Sequence, residues 1–254
     1  MRSDRALIAS LRISYQPIVR LADLRPAYVE ILARAEAGDG TVGSDAVIHA
    51  MSGADRSMHL TSCIMRSALA EYKAFQFGEC GLSIAFNLPL DAMLHPQLMA
   101  RIEAVRARSG LPAHNIRFEL TEQQPVRDLK AAGAAIATLR DSRYGLALDD
   151  ITPETPHLPE LMALPIRAVK LDKSVVVSTA EGDHEFIRDI VARANVYGQT
   201  VIAEGIETTE LCERMRLLGV THGQGFLFAR PLSAADLQKF LLKHSGETLE
   251  SAGL

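Results

Sequence analysis

Residues 145–172 decide the fold class, and they read GLALDDITPETPHLPELMALPIRAVKLD. Two short apolar runs, Gly145–Leu148 and Ala168–Leu171, lie near the ends of this stretch. Each run is followed by acidic residues, Asp149 and Asp150 after the first and Asp172 after the second. Short strand-like runs that alternate with longer segments are typical of a parallel sheet covered by helices. The stretch therefore predicts one unit of an α/β protein.

The same alternation continues on both sides of this stretch. Eight strand-like runs are predicted, at Ile13–Ile18, Ala27–Ala33, Leu82–Asn87, Ile116–Leu120, Gly145–Leu148, Ala168–Leu171, Thr200–Ala203 and Thr221–Gly223. Helical patterns lie between most of them, at Leu60–Phe75, Gln97–Ser109, Asp128–Ser142, Glu185–Tyr197 and Thr208–Leu218. A last helix is predicted at about Ala234–Lys243, with Ser233 as its cap.

Eight strands favour closure into a barrel, because a closed sheet has no edges. The segment Val19–Pro26 between the first two runs is too short for a crossover helix, so these strands should pair as an antiparallel hairpin. The predicted fold is a modified TIM-like (β/α)8 barrel whose first strand is antiparallel to the rest.

The length and composition fit a single domain over residues 1–254, with a core from about 14 to 242 and a polar tail from about 246. The net charge of -4 indicates no basic surface for nucleic acid or for an anionic membrane. Cys63, Cys80 and Cys212 are too widely spaced for a zinc or disulfide framework. Neither a signal peptide nor a run of about 18 apolar residues is found, so we expect a complete chain of this sequence to be cytoplasmic.

Polar side chains recur where the predicted strands end. They are Glu30, Asn87, Glu119, Asp149, Asp150, Lys170, Asp172, Glu204 and Gln224. In a parallel barrel these ends meet on one face, where barrel active sites lie. Carboxylates that are buried together repel one another, and a hard divalent cation with oxygen ligands relieves that repulsion. The set contains neither histidine nor cysteine, so magnesium, manganese or calcium is favoured over zinc.

Each of these residues has a simpler explanation when it is taken alone. An acidic residue at a strand end is most often a helix cap or a solvated loop residue. Asp149 and Asp150 could form a turn, and Lys170 could be a surface lysine whose charged end reaches water. Their shared position at successive strand ends is what favours a metal-dependent site.

Several segments resemble those of the EAL-domain cyclic di-GMP phosphodiesterases, from about Ser14 to about Leu242. The matching segments, in family order, are Tyr15–Ile18, Glu30–Arg34, Phe86–Leu88, Glu119–Glu122, Ala147–Asp150, Val169–Asp172, Ala203–Thr208 and Gln224–Phe228 with Pro231. One such motif would be weak, but eight in order with compatible spacing are specific. The resemblance implies bacterial second-messenger signalling in the cytoplasm, by hydrolysis of cyclic di-GMP to linear pGpG.

The resemblance also implies a role for each matching residue. The implied metal ligands are Glu30, Asn87, Glu119, Asp149 and Asp150. They would hold one or two Mg²⁺ or Mn²⁺ ions, and Ca²⁺ would inhibit. The implied catalytic residues are Lys170 and Gln224 at the attacking water, Glu204 as a ligand or base, and Glu122 and Glu207 as braces. The implied substrate contacts are Gln16, Arg34 at a phosphate, and Asp172. The implied partners are cyclic di-GMP, a second copy of the chain and a regulatory protein.

Two segments depart from the family pattern. Ile31 replaces the family's alanine, and the change is expected to affect packing. After Asp150 the chain reads ITPETPH over residues 151–157, where the family usually has a glycine-containing loop that positions the second metal and contributes to the dimer. Glu154 and His157 could add ligands, although solvated loop residues are the simpler interpretation. An active phosphodiesterase is therefore the first hypothesis, and a cyclic di-GMP receptor that acts through a partner protein is the second.

Overall fold

The structure is a computed structural model that describes residue 8 and residues 10–37, 40–42, 53–79, 81–121 and 128–244. Its strands are β1 (Leu11–Arg20), β2 (Pro26–Ala37), β3 (Gly40–Val42), β4 (Ser83–Pro89), β5 (Ile116–Thr121), β6 (Gly145–Ile151), β7 (Ala168–Leu171), β8 (Thr200–Ala203) and β9 (His222–Gly223). Its α-helices are α1 (Ala54–Ala74), α2 (Leu90–Met93), α3 (Leu98–Ser109), α4 (Leu129–Asp141), α5 (Leu158–Met162), α6 (Lys173–Val177), α7 (Glu181–Tyr197), α8 (Thr209–Leu217) and α9 (Ala234–His244).

Within the described residues the sheet closes into an eight-stranded ring. The order is β1-β9-β8-β7-β6-β5-β4-β2, and β2 pairs back onto β1. β1 is antiparallel to both of its neighbours, whereas the other pairs in the ring are parallel. The predicted barrel is confirmed, including its antiparallel first strand.

The β1–β2 hairpin continues past the rim of this ring. β2 pairs with β4 only from Tyr28 to Ile31, but its pairing with β1 continues as far as Ala35. At its other end the hairpin turns at Leu24, which has a positive φ of 56°, and Arg20 donates to Asp23 at 2.6 Å. β3 then pairs with the far end of β2 and lies outside the ring.

Side chains alternate along the strands between the barrel interior and the helices outside. The interior below the carboxyl ends of the parallel strands contains a small apolar cluster of Ile18, Tyr28, Ala85, Ala147, Ala168 and Ile202. Ile31 belongs to the larger outer core between strands and helices, which agrees with the expected packing role. Each fully buried aliphatic side chain stabilises this core by about 1.5–3 kcal/mol.

The structure adds elements that periodicity did not predict, namely β3, α2, α5 and α6. The longest of these spans five residues, too few for a helical repeat to be recognised. α7 begins at Glu181, four residues before the predicted start. Ser233 accepts a hydrogen bond from the Asp236 amide at 3.2 Å, which confirms its capping of α9. No helix in the described part of the chain is both long and apolar enough to cross a bilayer.

Candidate active site

The side chain of Lys170 occupies the centre of the barrel at the carboxyl ends of the strands. Its Nζ lies 2.6 Å from Glu204 Oε1, 2.8 Å from Asp149 Oδ1, 2.9 Å from Glu119 Oε2 and 3.4 Å from Glu30 Oε2. Only 1% of the Lys170 side chain is exposed. A buried ammonium is costly unless it is paired, so this group of four carboxylates accounts for the position of Lys170 inside the barrel. The interpretation of Lys170 as a surface lysine is wrong.

Glu30 is held by two amide side chains in addition to Lys170. Asn87 Nδ2 donates to Glu30 Oε1 at 3.0 Å, and Gln224 Nε2 donates to Glu30 Oε2 at 2.7 Å. Gln224 Nε2 also donates to Gln16 Oε1 at 3.0 Å. These contacts join β1, β2, β4 and the end of β9, and they fix both oxygens of Glu30.

Several buried oxygens in this cluster accept no hydrogen bond from the described residues. They are Asn87 Oδ1, Glu119 Oε1, Asp149 Oδ1 and Gln224 Oε1. Asp149 Oδ1 lies within ion-pair distance of Lys170 Nζ, but the geometry between the two groups is not that of a hydrogen bond. A buried acceptor without a partner costs about 1–3 kcal/mol. Since carboxylate and amide oxygens are the ligands that hard divalent cations prefer, this donor set fits such a cation.

A second arrangement of acidic groups lies on the β6 and β8 side of the cluster. Asp149, Asp150 and Glu204 each offer a carboxylate oxygen, and these oxygens lie within 4.8 Å of one another. Asp150 has a positive φ of 52°, a left-handed conformation that aspartate tolerates better than most residues. Three close carboxylates fit a cation in the same way as the oxygens around Glu30 do.

The pKa values of these groups reflect burial and crowded negative charge. Burial, with the Coulombic effect of Asp149, raises the pKa of Glu204 to about 8 and that of Asp150 to about 7. Burial likewise raises the pKa of Glu119 and of Asp149. The pKa of Lys170 is lowered by burial, but its acidic neighbours outweigh that effect and raise it. One ammonium therefore does not fully compensate the negative charge of the cluster.

Three predicted site residues lie outside this cluster. Asp172 caps α6, where its Oδ1 accepts from the Ser174 amide at 2.7 Å. Glu207 is exposed and pairs with Lys173 at 2.6 Å. Arg34 is exposed on the part of β2 that passes the rim. Glu122 falls outside the described residues. The structure thus brings together Gln16, Glu30, Asn87, Glu119, Asp149, Lys170, Glu204 and Gln224, with Asp150 beside them.

The unusual loop after Asp150 is held by its own hydrogen bonds. The Thr152 amide donates to Thr155 Oγ1 at 2.9 Å, and the Thr155 amide donates back to the Thr152 carbonyl at 3.1 Å. Glu154 and His157 are exposed, and among the described residues neither joins the group of close carboxylates. This placement favours the interpretation of both as solvated loop residues.

One residue close to the cluster was missed from sequence. Tyr28 is buried inside the barrel, and its hydroxyl has no hydrogen-bond partner among the residues that the structure describes. Burial, followed by the charge of Glu119, raises its pKa above the ordinary range. Tyr28 lies two positions before Glu30, so period-two alternation along β2 would have placed both side chains on the inner face.

The fold and this site define an α/β barrel with an oxygen-rich acidic cluster at the carboxyl ends of its strands. The chain belongs to the EAL domain family, whose sequence profile matches residues 3–231. That family includes cyclic di-GMP phosphodiesterases.

Relatives of the chain include both curated proteins and solved structures. Cyclic di-GMP phosphodiesterase NbdA of Pseudomonas aeruginosa is 28% identical over 235 residues, which are 91% of this chain and 30% of that protein. Probable cyclic di-GMP phosphodiesterase PdeB of Escherichia coli is 28% identical over 233 residues, or 91% of this chain and 45% of that protein. The chain thus spans less than half the length of these curated relatives.

Among solved structures, the PaMucR phosphodiesterase in complex with c-di-GMP superposes with a TM-score of 0.83 at 24% identity, covering 92% of this chain and 97% of that one. The manganese and cyclic di-GMP complex of Klebsiella pneumoniae BlrP1 superposes with a TM-score of 0.77 at 24% identity. The superposition covers 88% of this chain and 56% of that one. At these identities the likeness establishes the fold.

Proposed function

We propose that the chain binds cyclic di-GMP above the acidic cluster and hydrolyses one phosphodiester to give linear pGpG. The observation that carries this proposal is the convergence of Glu30, Glu119, Asp149 and Glu204 from four strands on Lys170. Membership of the EAL domain family supports the choice of substrate. The longer relatives NbdA and PdeB are named as a cyclic di-GMP phosphodiesterase and a probable one, which supports the same substrate.

The metal cofactor is proposed to be one or two Mg²⁺ or Mn²⁺ ions. Glu30, Asn87, Glu119 and Asp149 would hold one ion, and Asp149 and Asp150 would hold a second. The unpaired buried oxygens of this set support that assignment. When bound, the ions would neutralise charge on the phosphodiester and lower the pKa of the attacking water.

The chain's own residues would position the reacting groups. Gln224 donates through Nε2 to Glu30 and Gln16, so its Oε1 is left as an acceptor that can orient a water. Lys170 would donate to that water and keep the carboxylates together. Glu204 would act as a ligand or as the acceptor of the water's proton. Water adds to phosphorus, the bond from phosphorus to one ribose 3′ oxygen breaks, and that oxygen takes up a proton.

The other assigned residues are proposed to act around this centre. Gln16, Arg34 and Asp172 would contact the dinucleotide. Glu207 would stabilise the segment after β8 through its ion pair with Lys173. Glu122 would stabilise the end of β5. A homodimer, a regulatory protein partner, inhibition by Ca²⁺, a bacterial cytoplasmic location and a single domain over residues 1–254 stay predictions.

A second candidate is a cyclic di-GMP receptor with little or no turnover. The loop at Thr152–Thr155, which is closed by hydrogen bonds between its own residues, favours this candidate. It replaces the glycine-containing segment that was expected to position the second metal. Losing those glycines removes positive-φ freedom, and Pro153 and Pro156 restrict φ further.

One experiment separates these candidates. Purified protein is incubated with cyclic di-GMP and Mg²⁺ or Mn²⁺, binding is measured by calorimetry, and pGpG is followed by chromatography. Metal-dependent formation of pGpG is expected for the enzyme. Tight binding without pGpG would leave the receptor, and neither binding nor pGpG would refute both.

A further inference from the structure

The side chain of Tyr28 lies inside the barrel, one layer below the acidic cluster. It is 3% exposed and lies two positions before Glu30, so alternation along β2 places both side chains on the inner face. Ala85, Ala147 and Ala168, on three other strands of the ring, belong to the same interior cluster. Alanine at these positions leaves space for a large ring, and the Tyr28 hydroxyl is thereby held away from water.

The ring of Tyr28 is held in place by Arg117 of β5. The guanidinium carbon of Arg117 lies 4.6 Å from the ring centroid, which is a cation–π contact. Arg117 and Glu119 are two positions apart on β5, so both side chains face the interior. The ring therefore extends from β2 past β4 to the strand that carries Glu119. In agreement with this placement, burial and then the charge of Glu119 are the main causes that raise the pKa of Tyr28.

Two buried polar atoms in this region make no hydrogen bond within the described part of the chain. They are the hydroxyl of Tyr28 and Oε1 of Glu119. The other oxygen of Glu119, Oε2, accepts from Lys170 Nζ at 2.9 Å. An ammonium has three protons to donate, and Lys170 is already shared among four carboxylates. A phenol donor and a carboxylate acceptor that both lack a partner are complementary, and burial makes leaving them unpaired costly.

We propose that Tyr28 is a positioning residue of the metal site, whose hydroxyl donates to Oε1 of Glu119 when a metal ion is bound. This inference rests on the proposed function, since it assumes that Glu119 is a metal ligand. A carboxylate oxygen has two lone pairs, so Oε1 can accept from Tyr28 and still face a cation. With Oε2 on Lys170 and Oε1 on Tyr28, the carboxylate is fixed at both oxygens. Partners of this kind behind a metal ligand typically change metal affinity by about 10–100-fold.

The test removes only the hydroxyl group, in Tyr28→Phe, and measures the affinity for Mn²⁺ by calorimetry without nucleotide. The variant is expected to bind Mn²⁺ about tenfold more weakly. Its Tm in EDTA should rise or stay within about 1 °C of the wild-type value, because the hydroxyl makes no hydrogen bond with a described residue that the substitution could remove. Turnover of cyclic di-GMP should fall at limiting Mn²⁺ and recover at saturating Mn²⁺.

Tyr72→Phe is the matched control. Tyr72 is also buried, and its hydroxyl donates to the carbonyl of Leu82 at 2.7 Å. Loss of this hydrogen bond should lower the Tm by about 2–4 °C, and the affinity for Mn²⁺ should stay within about twofold of wild type. The two variants therefore distinguish a hydroxyl that supports the metal site from one that supports the fold.

Two outcomes would overturn the inference while the proposed function stands. One is wild-type binding of Mn²⁺ that Tyr28→Phe leaves within twofold. The other is a loss of Tm in EDTA as large as that of Tyr72→Phe, which would make the Tyr28 hydroxyl a structural group. Wild-type protein that does not bind Mn²⁺ would instead refute the proposed metal site, and this inference with it.

Discussion

The Nζ of Lys170 lies 2.9 Å from Oε2 of Glu119, and the two side chains are 1% and 0% exposed. The lysine stays charged so far from water because it has further acidic neighbours. Lys170 reaches three more carboxylates, which lie within β2, within β6 and directly after β8. The lysine therefore acts as a cation that holds the acidic cluster together.

Replacing Lys170 by methionine should destabilise the metal-free protein by about 3–5 kcal/mol, because it leaves buried carboxylates without their compensating charge. The free energy of unfolding is measured by urea denaturation in EDTA. Lys173→Met is the control, since Lys173 is exposed and pairs with the exposed Glu207, and it should cost less than about 1 kcal/mol. Equal losses in the two variants would contradict the role given to Lys170.

Replacing Glu30 by alanine should lower turnover of cyclic di-GMP at least about a hundredfold, because it removes a proposed ligand and the acceptor for Asn87 and Gln224. The fold should persist, as judged by circular dichroism and a cooperative melt, since Glu30 faces the site and not the outer core. Glu185→Ala, at an exposed position on α7, should retain full turnover. Unchanged turnover in Glu30→Ala would rule out the proposed metal role.

His222 should make stability depend on pH below about 6.5. Burial, followed by the charges of Arg117 and Arg20, lowers its pKa to about 4 from the ordinary value of 6.5. The folded protein then binds fewer protons than the unfolded chain between these two values. Its contribution to stability is complete above about pH 6.5 and is lost as the pH falls to about 4.

The measurement compares wild type with His222→Gln by urea unfolding at several pH values, because other groups titrate in the same range. The difference in unfolding free energy between the two proteins should change by about 1–2 kcal/mol from pH 7 to pH 4. This is less than the full pKa shift would give, because the imidazole ring is partly exposed and solvent screens its charge. A difference that stays constant over this range would contradict the lowered pKa.

Gly225→Ala should destabilise the protein by about 1–3 kcal/mol or more and should weaken turnover. A Cβ at Gly225 would lie 2.1 Å from the carbonyl oxygen and 2.4 Å from the nitrogen of Ile206, and backbone atoms cannot move aside as a flexible side chain can. The resulting shift would displace the neighbouring Gln224 from Glu30. Thermal melts and steady-state kinetics test both effects.

Gly182→Ala provides the matched control, because a Cβ there meets no atom within 4 Å. Gly182 lies in the first turn of α7, where alanine is the better helix former, so the variant should be as stable as wild type or slightly more stable. Similar losses in both variants would count against the close approach at Ile206.

The barrel and the position of the site at the strand ends could be predicted from the sequence, because most strands are short apolar runs followed by a polar residue. The sequence could not predict how each polar side chain would be used. Lys170 and Asp172 close the same predicted strand, so both were expected at the site. The strand pattern did not show that β7 ends at Leu171 or that Asp172 also caps α6.

The pairing of Glu207 with Lys173, and the sharing of Lys170 among four carboxylates, depend on distances between strands. Such distances are set by ring closure and not by local patterns. Short elements such as α5 and β3 were missed for a related reason, since they contain too few residues for a period to show.

The hydrogen bond from Gln224 to Gln16 joins residues 208 positions apart, and the one from Gln224 to Glu30 spans 194 positions. Such contacts require the entropy of closing a long intervening chain to be offset, and contacts of this kind slow folding. During synthesis, Glu30 and its neighbours leave the ribosome long before their last amide partner does. Completion of the acidic centre therefore requires the last strand of the ring, and a nascent chain that ends before residue 224 lacks one of the contacts that hold Glu30.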